Sequence, residues 1–200
     1  MNNAFEDGQD IVIELVRYHD YRDFFGPVRD FREATALDRF GGYACRVRLT
    51  HRDRVIVEDL TDQRTELPQH DWRRTGRAYR YGYHSVLTGD SSCPGSIVKL
   101  DNHTGARTEH TFSAGDVAGE PIFVPRCATA AEDDGWLLSV VYLAAEHRSA
   151  LVILDAQHVQ AAPLATARLD RHFFPGFHGS FTNHVVPAHQ APGDSNICSI

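Results

Sequence analysis

The sequence predicts an all-β fold, built as a multi-bladed array of short strands. Three observations carry this. Short runs rich in β-branched and aromatic residues recur along the chain, separated by Gly-, Asp- and Asn-containing turn sequences. Two stretches follow one plan: strand, turn, strand, closing first on Glu66-Leu67-Pro68 and then on Glu120-Pro121. Finally, Glu66, Glu120 and His178 stand 54 and 58 residues apart. That is close to the roughly 40–50 residues of a four-stranded propeller blade plus a loop. A β-sandwich is the alternative, because evenly spaced short strands suit both architectures.

Residues 10–18 (DIVIELVRY) alternate apolar and polar side chains, the period of a half-buried strand. Residues 20–40 lack such a period and are expected to form an irregular or briefly helical insertion. Residues 42–49 and 54–60 are strands separated by the polar break His51-Arg52-Asp53, and so predict a hairpin. Residues 75–87 carry Tyr79, Tyr81 and Tyr83 at period two, which places the three rings on one face of a strand. Residues 96–100 and 107–112 flank Asp101-Asn102-His103-Thr104-Gly105, a turn sequence tolerant of positive φ. A short extended piece follows at 122–124, and Glu132-Asp133-Asp134-Gly135 turns the chain into the buried strand 136–142 (WLLSVVY). Glu146-His147-Arg148-Ser149 turns again into 150–154, and 165–169 is the last strand. The folded portion is expected to span residues 1–181, with 182–200 a flexible tail rich in Pro, Gly, Asn and Ser.

The 200 residues suffice for one sizeable core or for part of a larger one. With 20 basic and 27 acidic residues, a formal charge of −7 and no Lys/Arg cluster, nucleic acid is not the expected partner. The four cysteines, at 45, 93, 127 and 198, have no CxxC spacing. This excludes a zinc knuckle or thioredoxin motif and leaves free thiols of a reducing cytoplasm as the expectation. No basic segment precedes an apolar run at the N-terminus, and no stretch approaches the ~18 apolar residues of a membrane span. The expected protein is soluble, or at most peripheral to a membrane.

The run Phe173-Phe174-Pro175-Gly176-Phe177-His178-Gly179 sets one histidine between glycines behind a group of aromatic side chains. Equivalent points on successive blades converge on the axis of a propeller. Glu66, Glu120 and His178 would then face one channel, as a histidine-bound metal with supporting carboxylates requires. Gly119 allows close backbone approach beside Glu120, and Pro121 removes a competing donor. Read from the residues alone, Glu120 is more readily an acidic turn residue and His178 a hydrogen-bonded loop histidine. His172, His178, His184 and His189 form a spaced series, but the spacing does not place them on one helical face. The acidic run 132–134 lacks the alternation of a calcium loop. No GxSxG, Walker or dinucleotide motif is present.

Six pieces of the chain, in order and at their spacing, resemble the carotenoid oxygenase family. They are Asn3-Ala4-Phe5-Glu6-Asp7-Gly8, Glu66-Leu67-Pro68, Gly76-Arg77-Ala78-Tyr79-Arg80-Tyr81, Gly119-Glu120-Pro121-Ile122-Phe123-Val124-Pro125, Glu132-Asp133-Asp134-Gly135-Trp136 and Gly176-Phe177-His178-Gly179. The family includes carotenoid- and stilbene-cleaving dioxygenases and the retinal pigment epithelium isomerase. The resemblance implies the last blades of a seven-bladed β-propeller, so that this chain would be a partial propeller. It also implies one non-haem Fe(II) on the axis, bound by four histidines, three of which are hydrogen-bonded by glutamates.

By the same resemblance, His178 matches the fourth ligand, Glu120 its supporting carboxylate, and Glu66 the carboxylate that orients the third histidine. The position of that third histidine falls immediately before Met1, and the first two lie further upstream. The chain is therefore expected to be the C-terminal portion of a dioxygenase. The implied partners are O2 and an apolar polyene or stilbene, with Phe174 and Phe177 lining the substrate channel. Peripheral membrane contact, if made, would run through regions beyond this chain. A catalytically incomplete propeller piece with a structural or binding role is the alternative.

Overall fold

The computed structural model describes residues 2–20, 41–88, 93–173 and 176–183. Among these residues the fold is all-β, with two short 3-10 turns and no α-helix. Among the described residues no helix is long and apolar enough to cross a membrane.

The first sheet is a seven-stranded antiparallel meander in chain order: β1 (Asn3–Asp7), β2 (Asp10–Arg17), β3 (Gly42–Leu49), β4 (Val55–His70), β5 (Tyr81–Leu87), β6 (Pro94–Asp101) and β7 (Arg107–Thr111). In the second sheet β10 (Gly135–Leu143) is central. β11 (Arg148–Asp155) and then β12 (Ala165–Arg168) lie on one side of it. On its other side, β8 (Val117–Ala118) and β9 (Ile122–Pro125) run end to end along β10.

The predicted hairpins form as read. β3 returns into β4 through the turn at 50–54, and β6 returns into β7 through 102–106. Four details differ. β1 is a strand because its Asn3 to Asp7 register matches β2 across a tight Asp7-Gly8-Gln9-Asp10 turn, with Gly8 at φ +64. β4 is 16 residues long and carries Glu66-Leu67-Pro68 within it rather than after it. Tyr79 precedes β5, so only Tyr81 and Tyr83 share a strand face. Val117 and Ala118 pair with β10, where no strand was expected. Of the expected 20–40 insertion, residues 21–40 lie outside the described residues, as do 184–200 of the expected tail.

The core lies where the two sheets meet. Tyr83, Ile97, Phe123, Leu137, Val141, Val152 and Leu154 are almost fully buried in one cluster. The Tyr83 and Phe123 rings stack with centroids 5.5 Å apart, joining β5 to β9. Tyr81 packs against this cluster and lies beneath Lys99 Nζ at 4.2 Å. These two tyrosines therefore belong to the buried face of a strand. The acidic turn before β10 is also structural. Glu132 accepts from the Tyr81 amide at 2.8 Å, Asp133 pairs with Lys99 at 2.7 Å and Asp134 with Arg126 at 2.8 Å.

Candidate metal-ligand site

Two β-bulges build the site. Between β4 and β5, Thr65 and Glu66 pair with Val86 and Ser85, whereas Gln69 and His70 pair with Tyr83 and Gly82. Leu67 and Pro68 thus face the single residue His84. Along β10, Ala118 pairs with Val141 but Ile122 with Leu138, so 119–121 face only Ser139 and Val140. An extra residue bends its strand and re-aims the neighbouring side chain. Each carboxylate singled out in the sequence sits at such a bulge.

The second bulge is tightly held. The Gly119 carbonyl accepts from Ser85 Oγ at 2.7 Å and from Ser139 Oγ at 3.1 Å, and the Gly119 amide donates to Val140 O at 3.0 Å. A β-carbon on Gly119 would lie 2.7 Å from Val140 O, so this close approach requires glycine. Glu120, next in the chain, is buried.

His178 approaches from the segment after β12. Its Nδ1 lies 3.0 Å from Glu120 Oε1, and the Gly179 amide donates to Glu120 Oε2 at 2.7 Å. A carboxylate only accepts, so Nδ1 carries the proton and Nε2 keeps its lone pair. Nε2 takes no hydrogen bond from the described residues. The His178 side chain is 76% exposed while that of Glu120 is 5% exposed, so the ring extends outward from a buried anchor. Ser149, fully buried at the start of β11, fastens this segment: its Oγ accepts from the Phe173 amide at 2.9 Å.

Glu66 is engaged elsewhere. Its carboxylate accepts from Tyr18 Oη and, at 3.1 Å, from the Gly42 amide. Burial raises the Glu66 carboxyl above its ordinary range, against the lowering effect of the hydrogen bonds from Tyr18, Gly42 and Leu67. The Tyr18 hydroxyl is raised in turn by its own burial and by the adjacent carboxylate. Glu66 and Glu120 are linked through β5, where Glu66 pairs with Ser85 and Ser85 Oγ donates to Gly119 O.

A groove of about 540 Å³ opens beside the pair, lined by apolar side chains that include Ile122, Leu138, Val140, Phe173 and Phe181, together with His178 and Glu120. Phe177 is 57% exposed and is not part of the lining, and Phe174 lies outside the described residues. His184 and His189 of the histidine series also lie outside them.

Sequence reading missed Gln69, whose Nε2 donates to Glu120 Oε1 at 2.7 Å. Strand alternation alone sends Gln69 and Glu66 to opposite faces. Only the extra residue between them, visible in the pairing and not in the sequence, brings them together. Tyr18 was missed because it follows the last residue of a strand and its partner is 48 positions away.

Among the described residues no group of three or more His, Cys, Asp or Glu side chains is arranged to hold a metal ion. At the groove, the His178 imidazole has its proximal nitrogen held by a carboxylate and its distal nitrogen without a hydrogen bond from the described residues. That donor fits one coordination position of a divalent transition metal.

The family model of the retinal pigment epithelial membrane protein matches residues 1–183. The apocarotenoid-15,15'-oxygenase of Synechocystis sp. is 37% identical over 185 residues, covering 90% of this chain and 37% of that protein. The lignostilbene-alpha,beta-dioxygenase isozyme III of Sphingomonas paucimobilis is 26% identical over 195 residues, covering 90% and 40%. The crystal structure of the cobalt-substituted Synechocystis apocarotenoid oxygenase matches with a TM-score of 0.75 and 33% identity, over 86% of this chain and 37% of that one. The chain thus spans about two-fifths or less of the length of these relatives. The family match across all the described strands, together with the shared fold, shows that this chain belongs to the retinal pigment epithelial membrane protein family, the carotenoid oxygenases.

Proposed function

We propose that residues 1–181 form the last blades of a seven-bladed propeller. In this reading the chain is the C-terminal portion of a non-haem Fe(II) dioxygenase. The reaction joins one conjugated C=C bond and one O2 into two carbonyl products, with a carotenoid, apocarotenoid or stilbene as substrate. The observation that carries this reading is the Glu120–His178 pair at the edge of an apolar groove.

His178 Nε2 would hold one position of the ion, and histidines outside this chain the others. When bound, ferrous iron supplies the one-electron chemistry that lets dioxygen react with an alkene. The chain's own share is positional. Glu120 fixes the imidazole tautomer and raises its basicity as a ligand. In the complete protein the groove would hold an apolar substrate through dispersion and burial. Cys45 and Cys127 are free thiols, which supports the cytoplasm as the compartment.

The test is His178→Ala in the complete protein. Iron content should fall and polyene cleavage should be abolished; iron and turnover equal to the unsubstituted protein would remove the assignment. A second reading, an incomplete propeller piece with a structural role, is favoured by the absence of a three-ligand cluster among the described residues. It predicts no iron and no cleavage in any preparation of the complete protein.

A further inference from the structure

We propose that Gln69 is a positioning residue for His178, acting through the Glu120 carboxylate. The inference rests on the metal-ligand reading of His178 given above. The terminal torsion of a glutamate side chain is soft, so a buried carboxylate does not set its own plane. Two donors other than the histidine set it here. The Gly179 amide holds Oε2 at 2.7 Å, and Gln69 Nε2 holds Oε1 at 2.7 Å. A carboxylate oxygen offers two lone-pair sites. On Oε1, Gln69 fills one and His178 Nδ1, at 3.0 Å, fills the other. With the plane fixed and one site left, the ring has a single favourable approach, with Nδ1–H inward and Nε2 outward.

Gln69 reaches Glu120 from a different sheet, and the β4 bulge is what lets it do so. Without the bulge, residues 66 and 69 would lie on opposite faces. With Leu67 and Pro68 together facing His84, Glu66 and Gln69 pair with Ser85 and Tyr83, two residues of one β5 face. That face meets the second sheet, since Ser85 bonds Gly119 O and Tyr83 stacks on Phe123. Leu67 adopts φ +50, a left-handed conformation that leucine seldom takes. The chain thus carries a strained residue at the place where the strain puts an amide donor onto the carboxylate that holds His178.

The experiment compares Gln69→Met, which keeps length and apolar volume but removes the donor, with Gln69→Lys, which returns a donor, both in the complete protein. Co(II) titration is followed by the visible d–d bands, and the His178 tautomer is read from imidazole 15N shifts of the metal-free protein. Gln69→Met should weaken Co(II) binding about tenfold, the lower end for partners of metal-bound histidines. It should also raise the population of the Nε2–H tautomer, while Gln69→Lys should recover both readouts. Native Co(II) affinity and a native tautomer in Gln69→Met would overturn the proposal. Should Gln69→Met fail to fold, the unsubstituted protein decides: a nuclear Overhauser contact between the Gln69 side-chain amide protons and His178 Nδ1–H is expected, and its absence overturns the assignment. His178→Ala separates the two claims. Undiminished Co(II) binding there removes the ligand reading, whereas a defect there with a silent Gln69→Met removes only the role of Gln69.

Discussion

His84 and His178 show how differently one side chain behaves when its surroundings change. His84 is buried between the bulge of β4 and β6, its Nδ1 without a hydrogen-bond partner, and burial pushes its pKa down to about 4. The unfolded chain, with an imidazole near the ordinary 6.5, takes up the proton first as the pH falls. The stability contributed by neutral His84 is therefore complete above about pH 6.5 and is lost progressively towards about pH 4, on the order of 3 kcal/mol. Urea melts of the protein between pH 7 and pH 4.5 should show this decline, and His84→Leu should flatten it; an equal slope in the variant would exclude His84 as the cause. Glu14 illustrates the opposite solution to burial. Its carboxylate is almost fully buried and receives Arg46 at 2.6 Å, the Tyr79 hydroxyl and Asn102 Nδ2 at 3.1 Å. Arg46→Ala leaves that charge without its cation and should destabilise by about 3 kcal/mol, measured by chemical denaturation. None of these partnerships was legible in the sequence, because the donors lie 32 to 88 positions from the acceptor.

At the scale of the element, the period-two strands were legible and the bulges were not. Alternation and turn residues report which segments are extended, and the hairpins at 50–54 and 102–106 follow from them directly. A bulge is a difference in count between two strands, so one strand's sequence does not contain it. The sequence did mark the places where bulges form, through Leu67-Pro68 and Gly119-Glu120-Pro121, where proline interrupts the ladder and glycine admits a close carbonyl. The second bulge is testable. Gly119→Ala forces a β-carbon to within 2.7 Å of Val140 O. It should cost about 1–3 kcal/mol, and it should move the Glu120 carboxylate away from His178. A thermal melt equal to that of the unsubstituted protein would show that the corner is not tightly packed.

At the scale of the whole molecule, apolar faces remain open on both sheets. Ile11, Leu49 and Val55 stand in one cross-strand row, and Ile13, Val47 and Val57 in the next row of the same face. Ile11, Leu49, Val55 and Val57 are between 37% and 64% exposed. On the second sheet Val140 is 48% exposed beside the apolar groove. Such faces bury themselves against further sheets or against other molecules. The 200-residue chain on its own should therefore self-associate, as light scattering would record, whereas a monodisperse monomer with one cooperative melt would contradict that expectation. The family was legible at this scale because six motifs held their order and spacing, although no single one of them is distinctive.

The proposed function requires His178 to present Nε2 to a metal while Glu120 holds Nδ1. Anomalous diffraction at the iron edge, from crystals of the complete iron-loaded protein, tests this most directly. One strong peak is expected within coordination distance of His178 Nε2, with Glu120 still on Nδ1. A peak bound to Nδ1, or one remote from His178, would contradict it.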